Sequence, residues 1–255
     1  MSRDDAGELA RLTWPRVPCG PLVLVPVGST EQHGRHLPLH TDSVIAESVA
    51  CGVLHQLTDV SALLAPTMAY SASGEHADFP GTVSLGHEAL HAVLVETVRS
   101  LSLWAGRIVF VNGHGGNVAT LNAALGRLRQ EGHDVAWLGC EIPGGDAHAG
   151  RTETSVMLHL APDDVRPAEA VPGDLRPLAA LLPELKARGV RAVSPTGVLG
   201  DPAGATAEEG RALFEAWVSA AVRLVTAGRA DSCGHLVDTG GGPAPAAPRQ
   251  EAGRR

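Results

Sequence analysis

Apolar positions along the chain keep two rhythms. Short, almost unbroken apolar runs fall at residues 21–27 (PLVLVPV), 61–65, 107–111 (RIVFV) and 134–138, the length and composition of buried strands. Between them the spacing changes to three or four residues. Val44, Ile45, Val49, Val53 and Leu54 mark a helix over 42–57, and similar periodicity predicts helices over 87–103 and 118–130. An apolar segment at 155–160 and helical stretches at 178–188 and 206–227 follow. Strands that alternate with helices build βαβ units, so the pattern predicts a mostly parallel central sheet covered on both faces, a three-layer α/β/α fold. The expected organisation is one domain over residues 1–239, with a disordered Gly/Pro/Ala-rich tail over 240–255.

In open parallel sheets, ligands collect at the carboxyl ends of the strands. The polar, histidine-rich loops follow the first and third strands, so both should open onto the same edge. The first holds EQHGRHLPLHTD, residues 31–42. Glu31 and His33, one residue apart, point the same way in an extended segment, and Asp42 sits at the start of a helix. Carboxylate with imidazole suits zinc, manganese or iron, although Asp42 could equally cap the helix and Glu31 be solvated. The second loop is Asn112-Gly113-His114-Gly115-Gly116-Asn117, directly after a strand. Its glycines also suit a phosphate at a helix N-terminus, but the motif is neither GxGxxG nor GxxxxGK[ST], and a phosphate has no need of His114. A metal ligand is the favoured role.

Two further loops add candidates. In DAHAGRTETS, residues 146–155, Glu153 is either an acid in the first turn of a helix or a member of a two-metal site, and His148 lies in the loop before it. In GEHADFPGT, residues 74–82, Glu75 and His76 could contact substrate, and His76 could instead support a ligand from behind. His55, His87, His91, His133, His159 and His235 have no partner pattern and read as surface or core residues.

Composition narrows the function classes. A net charge of −8 with no basic block argues against a nucleic-acid partner. No apolar run approaches membrane-spanning length, and the first residues lack the apolar stretch of a secretory signal. Cys19, Cys51, Cys140 and Cys233 form no CxxC pair, as expected of reduced thiols in a cytoplasmic protein.

Taken together, VPVGSTEQHGRHLPLHTD, GEHADFPGTVSL, VNGHGGN and DAHAGRTETS, in that order, resemble the creatininase family of amidohydrolases over residues 23–160. The resemblance implies a pair of divalent metals, zinc, iron or manganese, held by the residues at Glu31, His33, Asp42 and His114, with the aspartate bridging. Creatininase itself has a glutamate where this chain has Gly116. Relatives that share NGHGGN recruit the glutamate of HAGxxET, here Glu153, so Glu31 and His114 would hold one ion and His33 and Glu153 the other. His148 matches a substrate-contacting histidine, able to protonate the leaving amine or bind the carbonyl oxygen.

Within the family, GGDAHAGRTETSVMLHLAPDDVR and SPTGVLGDPAGATAEEG resemble the peptidases of the mycofactocin system. That implies a metal-activated water acting on a short modified precursor peptide near its C-terminus, with release of a Val-Tyr-derived core, by a homo-oligomeric enzyme. A small cyclic amide or a formamide is the alternative substrate. A non-catalytic metal-binding module and a nucleotide-binding turn are the alternatives outside this chemistry.

Overall fold

The computed structural model describes residues 7–140 and 145–238. Four parallel strands, β1 (Leu22–Val27), β2 (Ala62–Leu64), β3 (Arg107–Asn112) and β4 (Val135–Gly139), form a sheet in the order β2-β1-β3-β4. β1 and β3 pair along their full length, from Leu22 opposite Arg107 to Val27 opposite Asn112. The strands were expected in these places and differ at their ends by one residue. β1 contains Pro26 although it lies inside the sheet. The carbonyl of Pro26 accepts from the Met68 amide, so its nitrogen also faces the side where β2 has already ended, and no ladder hydrogen bond is lost.

Because side chains alternate along a strand, each buried strand feeds two cores. Leu22, Leu24, Val109, Val111, Ala136 and Leu138 face one layer, formed by α1 (Thr41–Gln56), α4 (Arg151–Leu160) and α7 (Ala207–Ala227). Val23, Val25, Val27, Ile108, Phe110 and Trp137 face the other, formed by α2 (Gly86–Leu101) and α3 (Val118–Gln130). This is the three-layer α/β/α arrangement read from the alternation. Burial of each of these Val, Leu or Phe side chains contributes about 1.5–3 kcal/mol before entropy is counted.

α4 begins at Arg151, which puts Glu153 in its first turn as expected, and Asp146 accepts hydrogen bonds from the Arg151 and Thr152 amides and satisfies the helix start. After α5 (Leu178–Arg188) the chain makes one further turn, α6 (Val190–Val193), which no periodicity marked. α7 behaves as its pattern requires. Thr206 caps it by accepting from the Glu209 amide, and Gly228 closes it in the left-handed conformation. No helix among the described residues is long and apolar enough to cross a membrane. The tail expected over 240–255 lies outside the described residues.

Candidate active site

The loops after β1 and β3 converge at the carboxyl edge of the sheet, as expected of the first and third strands, and residues 145–150 ahead of α4 join them there. Val27 ends β1, and the segment that follows turns Glu31 and His33 inward; both are fully buried. Asp42 enters from the first turn of α1. β3 delivers His114 two residues beyond its last residue, Asn112. The helix carrying Asp42 approaches this turn so closely that a Cβ on Gly113 would lie 2.4 Å from the Asp42 carbonyl oxygen, which is why that position admits only glycine.

Asp42 stands between the two histidines. Its Oδ1 lies 3.0 Å from His33 Nε2 and its Oδ2 lies 3.4 Å from His114 Nδ1. Glu31 Oε1 is 3.2 Å from the same His114 nitrogen, while its Oε2 accepts from the Ser29 hydroxyl at 2.9 Å. Glu153, carried by α4, brings Oε2 to 4.0 Å from His33 Nε2 and accepts from the Ala149 amide at 2.5 Å. Ala149 holds φ of 53°, a left-handed conformation uncommon for a residue with a side chain, at the joint that presents both His148 and Glu153.

The outer nitrogens of both histidines are pinned by main-chain carbonyls. His33 Nδ1 meets the Glu31 carbonyl at 3.1 Å, and His114 Nε2 meets the Ala72 carbonyl at 3.1 Å. A carbonyl only accepts, so these nitrogens carry protons, and the opposite nitrogens face Asp42. Glu31 Oε1 and Asp42 Oδ2 are buried with no hydrogen-bond partner. Two buried carboxylates whose free oxygens and two imidazole nitrogens converge form a donor set that suits a divalent cation. Glu31, His33 and Asp42 bring ligand atoms within 4.8 Å of one another, as do His33, His148 and Glu153.

Charge in the site follows from burial and proximity. Burial favours neutral Glu31, but His114, His76 and His148 outweigh it and hold this carboxyl well below its usual range. Asp42 is lowered likewise, burial being outweighed chiefly by His33. Burial opposes protonation of His33, yet Asp42, Glu153 and Glu31 raise it to about 10. His114 is raised well above its ordinary value against burial, with Glu31 and Asp42 beside it. Burial pushes Glu153 up to about 7 despite His33. His148 falls well below its ordinary value through burial and its neighbours His33 and His76.

Residues expected at the substrate lie close behind this group. His148 lies between His33 and His76, its ring tilted against both with centroids 4.3 and 4.5 Å away. His76 Nε2 is 3.3 Å from Glu31 Oε1, and Glu75 Oε1 is 3.4 Å from His114 Nε2. Glu75 fills the space beside Gly116, where a Cβ would lie 2.4 Å from both Glu75 Oε1 and His114 Nε2. Thus Glu75, His76 and His148 all touch the central group, whereas His55, His87, His91, His133, His159 and His235 lie outside it.

Several participants had gone unnoticed in the sequence. Asn112 Nδ2 donates to the His114 carbonyl at 2.8 Å, and Asn117 Nδ2 donates to Asn112 Oδ1 at 3.1 Å, which knits the turn after β3 together. His36 pairs with Thr154 at 2.9 Å and ties the first loop to α4. Gln32 contacts both His76 and His148. The signal for Gln32 was its place between Glu31 and His33, and for the asparagines it was that they bracket the glycine-histidine turn.

The sequence profile of the creatininase family (creatinine amidohydrolase) matches residues 10–225. The chain belongs to the creatininase family. It is 57% identical over 202 residues to the mycofactocin precursor peptide peptidase of Mycolicibacterium smegmatis, covering 78% of this chain and 82% of that one. To the protein of the same name from Mycobacterium tuberculosis it is 53% identical over 227 residues, covering 86% and 90%. Solved creatininases share the fold. One described as Zn-Zn type gives a TM-score of 0.69 at 26% identity, with 85% of this chain and 96% of that one covered. Another, creatininase Mn, gives 0.67 at 27% identity, with the same coverage. Family membership and the peptidase relatives make this chain a hydrolase of amide bonds.

Proposed function

We propose that this creatininase-family chain is a metal-dependent peptidase that cuts a short modified mycofactocin precursor peptide near its C-terminus, releasing a Val-Tyr-derived core. The observation that carries the metal dependence is the pair of unpartnered oxygens, Glu31 Oε1 and Asp42 Oδ2, turned toward His114 in a buried site. The peptide substrate rests on the relatives of that name at 53–57% identity.

Glu31, Asp42 and His114 would hold one divalent cation, zinc, iron or manganese, and His33, Asp42 and Glu153 a second. When bound, such ions polarise an amide carbonyl and make a water acidic enough to ionise near neutral pH. The chain does the rest. Ser29 holds Glu31 in place, while the Ala149 amide holds Glu153. His148, kept neutral by burial, is suited to accept a proton from the attacking water and deliver it to the leaving amine as the C–N bond breaks. Glu75 and His76, close against His114 and Glu31, would complete the wall that receives the peptide.

The deciding experiment incubates metal-loaded protein with the modified precursor peptide and follows the products by mass spectrometry. Cleavage near the C-terminus that stops on chelation and returns with added metal is the expected result. Turnover unaffected by rigorous metal removal would overturn the metal dependence. Intact peptide alongside hydrolysis of creatinine or a formamide would overturn the substrate and leave a small-amide hydrolase.

A further inference from the structure

Gln32 is buried between Glu31 and His33, and every polar atom it carries has a partner. Its Oε1 accepts from the Gly34 amide at 2.9 Å, and its Nε2 lies 3.0 Å from the Gly197 carbonyl. An amide donor on one side and a carbonyl acceptor on the other leave only one orientation for the carboxamide. Nε2 therefore has two protons to give and three neighbours, namely the Gly197 carbonyl, His76 Nδ1 at 2.9 Å and His148 Nε2 at 3.1 Å.

Main-chain geometry resolves the competition. His148 Nε2 also lies 2.8 Å from the carbonyl oxygen of Gln32 itself. That oxygen accepts only, so His148 Nε2 carries a proton and cannot take one from the carboxamide. The two Gln32 protons go to Gly197 and to His76 Nδ1. His76 then accepts at Nδ1 and must bear its own proton on Nε2, the atom 3.3 Å from Glu31 Oε1. His148, protonated at Nε2, turns a bare Nδ1 toward the site, 3.8 Å from the same Glu31 oxygen. The backbone keeps this ring in place, since the His148 amide donates to the Leu199 carbonyl at 3.1 Å and the Leu199 amide returns a bond at 2.8 Å.

We infer that Gln32 is a positioning residue that sets the tautomers of two histidines at once, placing the ring proton of His76 on Nε2, the atom that faces Glu31, and presenting Nδ1 of His148 as the atom through which that ring exchanges protons or binds. The proton placement stands on hydrogen-bond accounting alone; its meaning for amide hydrolysis rests on the function proposed above. The arrangement also explains the glycine at position 197. A Cβ there would lie 1.8 Å from Gln32 Oε1, and the backbone has a φ of +82°.

The test is long-range 1H–15N correlation spectroscopy of the histidine rings in 15N-labelled protein, recorded metal-free and zinc-loaded. His76 and His148 should both show a protonated Nε2 in each state, and His148 Nδ1 should be bare without metal and bare or metal-bound with zinc. Gln32→Glu places an acceptor where Nε2 was, so His76 should move its proton to Nδ1 while the His33, His36 and His114 signals stay in place. Peptide or amide turnover should fall about 10–100-fold, the usual effect of losing an outer partner of a metal site. A wild-type His148 protonated at Nδ1, or a His76 tautomer unchanged in Gln32→Glu, would overturn the inference. Failure to bind zinc with the expected tautomers present would instead count against the metal reading.

Discussion

On one side of Asp42, Glu31 and His114 stand at the ends of two paired central strands. On the other, His33 faces a carboxylate borrowed from α4. The first half is tight, with both carboxylate–imidazole distances at 3.2–3.4 Å and both acids held ionised. In the second, Glu153 is 4.0 Å from His33, its side chain keeps 22% of its exposure, and its carboxyl is raised to about 7. The sheet fixes the first half because a parallel pair in register leaves little freedom at its carboxyl edge. The second half depends on how a helix docks, through Asp146 at its start, Thr154 against His36 and the left-handed Ala149. The looseness of the second half lies in its Glu153 arm, since His33 itself stays 3.0 Å from Asp42.

Removing the residue that joins the halves should have the largest effect. Asp42→Asn takes a charge from both halves and leaves a carboxamide beside two protonated histidines. Both ions should be lost, and kcat/KM should fall by at least about 1000-fold, equivalent to about 4 kcal/mol of transition-state stabilisation. Metal analysis by mass spectrometry together with the cleavage assay decides this; a variant that retains two ions per chain would show that the aspartate does not bridge.

Next come substitutions that separate the halves. Glu153→Gln should leave the ion on Glu31, Asp42 and His114 and remove the other, lowering the stoichiometry from about two to about one per chain. Glu31→Gln should weaken the tight half and therefore cost more affinity than Glu153→Gln in a chelator competition. Equal losses from the two variants would erase the proposed asymmetry. A milder probe is Gly116→Ala, whose new methyl would push against both Glu75 and His114. The expected cost is about 10–100-fold in affinity of the tight half, with the other half unaffected.

The same contrast marks what the sequence could reveal. The fold was legible because each strand is buried on both faces and each helix on one, so apolar spacing alone separates them. Glu31, His33, Asp42 and His114 were legible because they follow strands that must end at one edge. Their company was harder to read. Glu153 read from its own residues as either an acid of a first helical turn or a metal ligand, and only the family resemblance tipped it toward His33, where the docking of α4 brings it. Gln32 and Asn117 act through hydrogen bonds to main-chain atoms distant in sequence, those of Gly197 and Gly28, which no spacing rule encodes. α6 was missed because a single turn is too short to establish a period.

The smallest effect is a count of protons, yet it addresses the difference between the halves directly. Metal ligation requires His33, His114, Asp42, Glu31 and Glu153 in their unprotonated ligand forms. In the metal-free site His33, raised to about 10, and His114, raised well above its ordinary value, each carry an exchangeable proton at neutral pH. Glu31 and Asp42 are already ionised. Glu153, raised to about 7, is mostly protonated at pH 6 and mostly ionised at pH 8. Filling both halves should thus release about three protons at pH 6 and about two at pH 8. Affinity should rise with pH across this window, because each proton that must be displaced opposes the ion. Zinc titrations in weak buffer with a pH indicator measure the release. In Glu153→Gln the count should lose its pH dependence and settle near one, since only the tight half then fills. A count that does not change between pH 6 and 8 in the wild type would mean that Glu153 is already ionised, and that the second half is as fully formed as the first.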